Sequence, residues 1–505
     1  MYFLEQQTYS NWELCLADGS PEPLIEIQSM IKKDSRIKYK FLNKNNGIAE
    51  NTNEALKLAT GDFIALMDHD DTLSIDCLFE NVKAINENPG VEFLYSDEDK
   101  IYKVGSQRFG AYFKPDFSID TLRSGNYICH FSVFKKELME KLEGERSKYD
   151  GAQDFDIILR MSEMVKKENI KHISKILYHW RLSETSTAAN SEAKPYAYIA
   201  GAKAVKDHLE RIGLDATVTR SKHFGLYDTI YNVHGNPKVN ILIINSNGIE
   251  ELKRCVKSIL EKTKYQNYEI DIIEKNNDSV NNYDDIKNNE KIKIIKYEED
   301  NVNNSKIINY GIKHTDGEFI LLLDSRTEVI EETWLEGLLG DCQRDEVGVV
   351  GNKLLYPDDT VYHAGIILGM NDLIGYVHRG ISDTAPGFFA RAIMRQNVSA
   401  VTGKCLMTKR KILEEVEYLN EKYINELNDI DLCLRIIKKG YLVVYNPASK
   451  LHFYEGKKDN TEKNIEDIEL FKKNWKDEME NGDPYYNKNL DLSNTYCIIK
   501  TQKVN

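Results

Sequence analysis

An acidic cluster directly follows a short apolar stretch of this 505-residue chain. The stretch is residues 63–67, and Asp68, His69, Asp70 and Asp71 come immediately after it. Five apolar residues in a row are typical of a strand covered on both faces, so we expect the acids at the strand's carboxyl end. Clustered carboxylate oxygens suit Mg²⁺ or Mn²⁺, with a ligand phosphate completing the coordination. The plain alternative is a solvated turn after a strand.

The sequence carries an internal repeat around this cluster. Residues 61–71 (GDFIALMDHDD) recur at 317–327 (GEFILLLDSRT), and residues 9–13 recur at 265–269, both at a separation of 256 positions. One register held over this length predicts two copies of a single αβ unit. Each copy can therefore be compared with the other, position by position.

The two copies differ at the acidic cluster. Asp68 and Asp70 of the first copy correspond to Asp324 and Arg326 of the second. Arg326 either pairs with Asp324 or itself binds a diphosphate, and it would repel a divalent ion beside it. The second copy is therefore expected to differ from the first in its use of a metal.

Strands and helices alternate in both copies, which predicts an α/β fold with a parallel, doubly wound sheet in each. In the first copy we predict strands at 13–18, 38–43, 63–67 and 91–99, and helices at 47–61 and 74–90. In the second copy we predict strands at 239–244, 269–273, 291–297 and 319–324, helices at 250–263 and 304–314, and a loop at 276–291. The predicted domains are 1–225 and 236–456, followed by a helical tail at 457–505.

The first copy has no counterpart of the apolar strand at 239–244. At the separation of the repeat, Met1 corresponds to Lys257, inside the helix that follows that strand. The first strand of a doubly wound sheet is usually central and borders the ligand crevice. We therefore expect either that the chain is a fragment, which we favour, or that another segment fills the gap.

Composition excludes some classes of function. The net charge of −14 argues against a general nucleic-acid binder, because 81 acidic residues outnumber the 67 Lys and Arg that could neutralise phosphates. The eight cysteines are scattered without a CxxC pair, which is typical of free thiols in a reducing compartment. The amino-terminal residues lack the pattern of a secretory signal, so we expect a cytoplasmic protein.

Taken in order, several strings of the chain resemble the family 2 glycosyltransferases of the GT-A fold, in the tandem form found in bacterial surface-polysaccharide biosynthesis. The first copy carries QTYSNWELCLADGS, NNGIAENTNEAL, GDFIALMDHDD, YSDEDK, NYICH, GAQDFDIILR and ILYHWR. The second copy carries GNKLLYPDDTVYHAGIILG, QNVSAVTGKCLM, NDIDLCLR and LHFYEG. The resemblance implies two tandem GT-A domains, the first without its amino-terminal strand.

The resemblance also implies an activity and a set of site residues. It implies inverting transfer of a sugar from a nucleoside diphosphate sugar to a hydroxyl of a growing surface polysaccharide. The implied catalytic bases are Asp154 and Asp429. The implied residues for binding the nucleotide sugar are Asp18, Asp68, Arg181, Glu274, Asp324 and Arg326. The implied metal ligands, for Mn²⁺ or Mg²⁺ in the first domain, are Asp70, Asp71 and His179.

Alternatives remain open at this stage. Asp154 is also compatible with a helix N-cap, and His179 with a packed core histidine. The second domain is expected to be weakened or independent of a metal, and a bifunctional transferase with both domains adding sugars in turn is one alternative. A non-catalytic protein that binds a glycan or a partner on decayed domains is another. The resemblance further implies a glycan or lipid-linked glycan acceptor, and transient contact with the inner face of the cell membrane.

Overall fold

The computed structural model describes residues 2–103, 105–182, 195–245, 248–275, 286, 288–299, 303–455 and 464–500. The chain divides into two compact units, Met1–Thr229 and Ile230–Asn505. No helix among the described residues combines the length and the apolar character needed to cross a membrane.

The first unit alternates short strands and helices. Its strands are β1 Leu14–Asp18, β2 Ile37–Phe41, β3 Phe63–Ala65, β4 Thr72–Leu73, β5 Phe93–Ile101, β6 Phe109–Tyr112, β7 Ser132–Lys135, β8 Ile170–Arg181, β9 Ala216–Arg220 and β10 Tyr227–Tyr231, whose last two residues belong to the second unit. Its helices are α1 Tyr2–Glu5, α2 Ile25–Ile31, α3 Ile48–Leu56, α4 Cys77–Glu87, α5 Ile119–Ser124, α6 Lys136–Lys141, α7 Gln153–Met164 and α8 Pro195–Arg211.

Two separate sheets contain strands β1 to β8 of this unit. Strands β1 and β2 pair in parallel as a two-stranded sheet. A larger sheet has the order β3-β7-β5-β8-β4, with β6 paired to β5. In it β5 and β8 are parallel, whereas β7 runs antiparallel to both of its neighbours.

The second unit repeats this arrangement at greater length. Its strands are β11 Val239–Ile244, β12 Tyr268–Lys275, β13 Ile292–Tyr297, β14 Phe319–Asp324, β15 Thr327–Val329, β16 Val347–Leu355, β17 Val361–His363, β18 Ile366–Leu368, β19 Ile374–Tyr376, β20 Gln396–Asn397, β21 Cys405–Lys409 and β22 Leu442–Phe453. Its helices are α9 Ile249–Lys262, α10 Asn304–Lys313, α11 Trp334–Gln343, α12 Arg410–Glu415, α13 Asn428–Lys438, α14 Ile465–Asn474 and α15 Lys476–Asn481.

One sheet runs through the second unit in the order β13-β12-β11-β14-β21-β16-β22-β15. Strand β11 pairs in parallel with β12 on one side and with β14 on the other. Strand β21 is antiparallel to β14 and to β16. Both units are therefore α/β, as predicted, but their sheets are mixed rather than wholly parallel, which is common among large α/β sheets.

No described strand of the first unit lies between β1 and β3, where β11 lies in the second. Instead, the carboxylate of Glu13 accepts the backbone N–H groups of Thr60 and, at 3.0 Å, Gly61. In the second unit Gly317, the counterpart of Gly61, donates its N–H to Asn240 on β11 at 2.5 Å. The prediction that the first domain lacks the counterpart of this strand therefore agrees with the described part of the unit.

The predicted helical tail is shorter than expected and is packed. Helix α14 ends at Asn474 and helix α15 ends at Asn481, and the described residues beyond Asn481 form no further helix. Phe471 and Trp475 are buried in the core of the second unit, and the Trp475 indole donates to Asp431 at 3.0 Å. These contacts attach the tail to helix α13, which begins at Asn428 and carries Asp431. Most of the predicted loop at 276–291 lies outside the described residues.

Candidate active site

The turn after β3 is held in place by strand β8. Tyr178 accepts the backbone N–H of Asp68 at 3.4 Å and donates its hydroxyl to Asp71. The backbone N–H of Arg181 donates to the same Asp71 carboxylate at 2.7 Å. Asp71 is buried, and burial raises its pKa to about 6 despite these hydrogen bonds. Asp68 is exposed, so the turn presents one buried and one open carboxylate.

His130 joins this turn from the segment before β7. Its ring stacks on Tyr178 with centroids 4.7 Å apart, and its Nε2 lies 3.7 Å from Asp68 Oδ2. One ligand atom each from Asp68, Asp71 and His130 lie within 4.8 Å of one another. Mn²⁺ binds carboxylate oxygens and imidazole nitrogens, and Mg²⁺ prefers oxygen ligands. The residues present therefore fit a divalent ion.

A buried ion pair lies behind His130. The His130 Nδ1 is 3.7 Å from Glu98 Oε2, and the His130 backbone N–H donates to the same oxygen at 3.3 Å. Burial alone would lower the pKa of His130, but Glu98 and the nearby aspartates outweigh it and raise the pKa to about 9. Lys114, fully buried, donates to Glu98 at 3.0 Å and to the His130 carbonyl at 2.6 Å. The histidine is thus fixed by its backbone as well as by its ring.

Asp154 lies at the start of α7 and reaches the same region. Its side chain accepts a hydrogen bond from Asn126 Nδ2 at 2.9 Å. Burial raises the pKa of Asp154, and the charge of His130 opposes that shift. A carboxylate with a raised pKa beside a candidate metal group is suited to accept a proton.

Asp156, two residues further along α7, has a different environment. It is fully buried and accepts hydrogen bonds from Arg146 Nε and Arg160 Nε, both at 3.0 Å. Arg160 also donates to the carbonyls of Leu142 and Gly144, at 2.8 and 2.7 Å. This pair of guanidinium groups binds Asp156 into the fold and leaves Asp154 as the acid facing the cluster.

The other predicted residues of the first domain lie at varied distances from this group. Asp70 is half-buried in the same turn but does not belong to the three grouped ligands. His179 lies on β8 opposite Thr72, the residue after Asp71, and its Nδ1 hydrogen-bonds to Asp99 Oδ1 at 2.5 Å. Asp18, at the end of β1, accepts from Ser20 N–H at 2.9 Å and from the Tyr39 hydroxyl at 2.7 Å.

In the second unit the position after β14 holds an ion pair. Arg326 donates through Nε to Asp324 Oδ1 at 3.0 Å and through Nη2 to Oδ2 at 2.7 Å. Burial would raise the pKa of Asp324, but Arg326 lowers it below its ordinary value. Glu274, at the position of Asp18, is half-buried on β12. The first of the two alternatives for Arg326, pairing with Asp324, is the arrangement in the structure.

A cleft of about 170 Å³ adjoins this ion pair. Its polar lining includes Asp324, Lys404 and Asp429, and its apolar lining includes Leu242 and Leu322. Asp429 accepts the N–H of Gly403 at 2.6 Å and that of Ile430 at 2.9 Å. The acid predicted as the second base therefore shares one cleft with the acid predicted to bind the donor.

The sequence matches the model of glycosyl transferase family 2 over residues 3–143 and 240–417, which together exceed half of the chain. The chain belongs to this family. It is 35% identical to uncharacterized protein y4gI of Sinorhizobium fredii, over 98% of this chain and 56% of that one. It is 31% identical to the O-antigen biosynthesis protein RfbC of Myxococcus xanthus, over 98% of this chain and 39% of that one.

The chain thus spans about half or less of the length of these two relatives. Among solved structures, a mannosyltransferase of Pyrobaculum calidifontis in complex with GDP-Man and Mn²⁺ aligns with a TM-score of 0.34 and 13% identity, over 46% of this chain and 61% of that one. This similarity is too low to support a conclusion about the present chain.

Two residues of this family 2 chain were not predicted as site residues, His130 and Lys404. The two residues occupy equivalent positions of the repeat. Val133 of β7 pairs with β3 as Met407 of β21 pairs with β14, and His130 and Lys404 each lie three residues before these pairing residues. An alignment of the two copies that includes β7 and β21 matches His130 with Lys404. The strings NYICH and QNVSAVTGKCLM contain these two residues, but the strings indicate the family and not a ligand role for either residue.

Proposed function

We propose that the first unit is an inverting glycosyltransferase that depends on a divalent cation. In this proposal Asp68, Asp71 and His130 hold Mn²⁺ or Mg²⁺, and Asp154 is the catalytic base. The observation that carries it is the grouping of three ligand atoms within 4.8 Å, together with the charge interaction between Asp154 and His130. Family membership supports glycosyl transfer as the reaction class.

The residues of the first unit can perform two parts of such a reaction. The bound cation would neutralise charge that develops on a leaving diphosphate. Asp154, aligned by Asn126, accepts the proton of the acceptor hydroxyl as that oxygen forms the new glycosidic bond. A single displacement with one base inverts the anomeric centre, and it needs no covalent nucleophile.

We extend this proposal to the remaining sequence predictions. Asp18 and Arg181 contact or orient the nucleotide sugar, and Asp70 and His179 support the metal. The donor is a nucleoside diphosphate sugar, and the acceptor is a glycan or lipid-linked glycan of a bacterial surface polysaccharide. The similarity to an O-antigen biosynthesis protein supports that substrate class. The proposed location is the cytoplasm, at the inner face of the cell membrane.

For the second unit we propose donor binding without a divalent ion. The ion pair of Arg326 with Asp324 supports this, because a cation already neutralises the acid that would otherwise attract a metal. The cleft that contains Asp429 favours a second transfer reaction in this unit as the other candidate function. A non-catalytic second unit is the outcome expected if Asp429→Asn changes no product.

The proposal is tested by release of nucleoside diphosphate from a panel of UDP-, GDP- and dTDP-sugars, with a glycan acceptor and Mn²⁺. We expect turnover of at least one donor, loss of turnover in EDTA, and a loss of about 10²–10⁴-fold in Asp154→Asn. Asp62→Asn, an exposed acid outside the cluster, is the matched control. Turnover that is unaffected by both EDTA and Asp154→Asn would contradict the assignment of the site.

A further inference from the structure

Lys404 places a cation in the second unit where the first unit has His130. Both residues lie three positions before equivalent pairing residues on β7 and β21. His130 is partnered by Asp68 and Glu98, each with a nitrogen-to-oxygen distance of 3.7 Å. The two units thus share a positive group at one point of the fold, but its surroundings differ.

The Lys404 ammonium group has unused hydrogen-bonding capacity. It forms no hydrogen bond or ion pair with any residue in the part of the chain that the structure describes, and the ring centroids of Tyr362 and Phe453 lie 5.8 and 5.5 Å from its nitrogen. Lys404 also lines the cleft that contains Asp324 and Asp429. A half-buried ammonium with three unused donors is costly unless a ligand or solvent satisfies it.

Arg326 and Lys404 both contact the Phe453 ring. The Arg326 guanidinium carbon is 5.0 Å from the centroid of Phe453, and the Lys404 ammonium is 5.5 Å from that centroid. Asp324 already takes two hydrogen bonds from Arg326. Among the described residues that line this cleft, Lys404 is therefore the cation available to a ligand.

The charge of the two clusters points to different ligands. In the first unit the carboxylates of Asp68 and Asp71 attract a divalent cation, which would displace the proton of the His130 imidazole on binding. In the second unit Asp324 and Asp429 are balanced by Arg326 and Lys404, with no excess negative charge to attract a divalent ion. Burial alone would lower the pKa of Lys404, but nearby tyrosines and these two carboxylates raise it, so the ammonium stays charged.

We propose that the second unit binds the diphosphate group of its ligand on Lys404, in the cleft that Lys404 shares with Asp324 and Asp429, and needs no divalent cation. This inference rests on the proposal that the second unit keeps a ligand-binding edge after β14. The cleft of about 170 Å³ is smaller than the roughly 300–1,000 Å³ typical of sites for whole drug-sized ligands, so it receives only part of its ligand. A nucleoside diphosphate and a lipid-linked diphosphate share that group.

Calorimetric titration of the full chain tests the proposal. Asp68→Asn in the presence of EDTA removes metal-dependent binding by the first unit, and the titrants are inorganic pyrophosphate, UDP, GDP, dTDP and farnesyl diphosphate. We expect at least one of them to bind, with Lys404→Gln weakening the affinity about 10–100-fold because a charge-assisted hydrogen bond is lost. Binding of a nucleotide or of farnesyl diphosphate identifies the source of the group.

Three further variants separate ligand binding from folding. Lys411→Gln, at an exposed lysine of the same unit, should change nothing, and Lys404→Arg should retain binding because it keeps the charge. Asp429→Asn should tighten binding by removing a negative charge from the cleft, an effect that a purely structural role would not produce. If Lys404→Gln fails to fold, unchanged affinity in Asp429→Asn overturns the proposal.

Two results overturn the proposal directly. One is binding that appears only with Mn²⁺, and the other is equal affinity in Lys404→Gln and Lys411→Gln. A failure of the proposed function of the first unit is recognised separately, because it would appear as absent turnover with Mn²⁺ in the unsubstituted chain. The metal-free titrations do not depend on that turnover.

Discussion

Two aspartates of helix α7, only two residues apart, should respond in opposite ways to the same substitution. Asp156 is fully buried between Arg146 and Arg160, whereas Asp154 is bound by the side chain of Asn126 and faces the candidate metal group. We predict that Asp156→Asn lowers stability, and that Asp154→Asn lowers activity with little change in stability.

The size of each effect follows from the contacts. Asp156→Asn leaves Arg160, which is 5% exposed, beside a second guanidinium group without a counter-charge. Breaking a buried ion pair from one side costs about 3–5 kcal/mol. In a unit of this size about 1 kcal/mol shifts the melting temperature by roughly 2–4 °C, so we expect a decrease of about 6–20 °C.

Asp154→Asn removes a charge that burial already disfavours. Because the pKa of Asp154 is raised by burial, the neutral amide should change the free energy of unfolding by less than about 1 kcal/mol. Loss of a positioned base should lower the rate of transfer by about 10²–10⁴-fold.

Thermal unfolding and initial rates are measured on the same preparations of the full chain, and each melting transition of a variant is compared with that of the unsubstituted chain. Asp62→Asn is again the control. The reasoning is refuted if Asp156→Asn melts with the unsubstituted chain, or if Asp154→Asn loses several kcal/mol of stability along with its activity.

Three further predictions concern pH, packing and metal binding. Burial raises the pKa of Glu145 to about 8. The folded chain therefore retains a proton on Glu145 that the unfolded chain releases near pH 4.5, so the free energy of unfolding falls as pH rises between these two values. Glu145→Gln should remove this part of the pH dependence of stability, measured in EDTA. The prediction is contradicted if plots of melting temperature against pH stay parallel for the variant and the unsubstituted chain from pH 5 to 8.5. Trp475→Leu should cost about 3–5 kcal/mol in the second unit because the indole is buried, whereas Tyr496→Leu, at a residue 58% exposed, should stay within about 0.5 kcal/mol in the same unfolding measurement. Asp68→Asn should lower Mn²⁺ affinity more than about tenfold by titration calorimetry, and an equal loss in Asp324→Asn would count against a metal site confined to the first unit.

Much of the fold could be predicted from local patterns. The predicted strand at 319–324 agrees with β14 at both ends, since an apolar run bounded by an acid marks its own limits. The predicted helix at 47–61 is longer than α3, which ends at Leu56. There the N–H groups of Thr60 and Gly61 donate to Glu13, forty-seven and forty-eight residues earlier, and a local pattern does not report such a contact.

The candidate site divides along the same line. Asp68, Asp71 and Asp154 belong to motifs that a reader of the sequence can recognise, because each follows a strand or opens a helix. His130 and Lys404 precede strands that pair antiparallel, β7 with β3 and β21 with β14. The prediction of a parallel sheet did not include these pairings. A cation that reaches a cluster through long-range strand pairing leaves no local signal of its role.

The central claim is that the first unit transfers a sugar with inversion and with the help of a divalent cation. Its most direct test is the anomeric configuration, by NMR spectroscopy, of the product formed with Mn²⁺ by the full chain carrying Asp429→Asn, which removes the proposed base of the second unit. We predict a product whose new linkage has the configuration opposite to that of the donor sugar. A product with the donor's configuration, or a product formed equally well in EDTA, would contradict the claim.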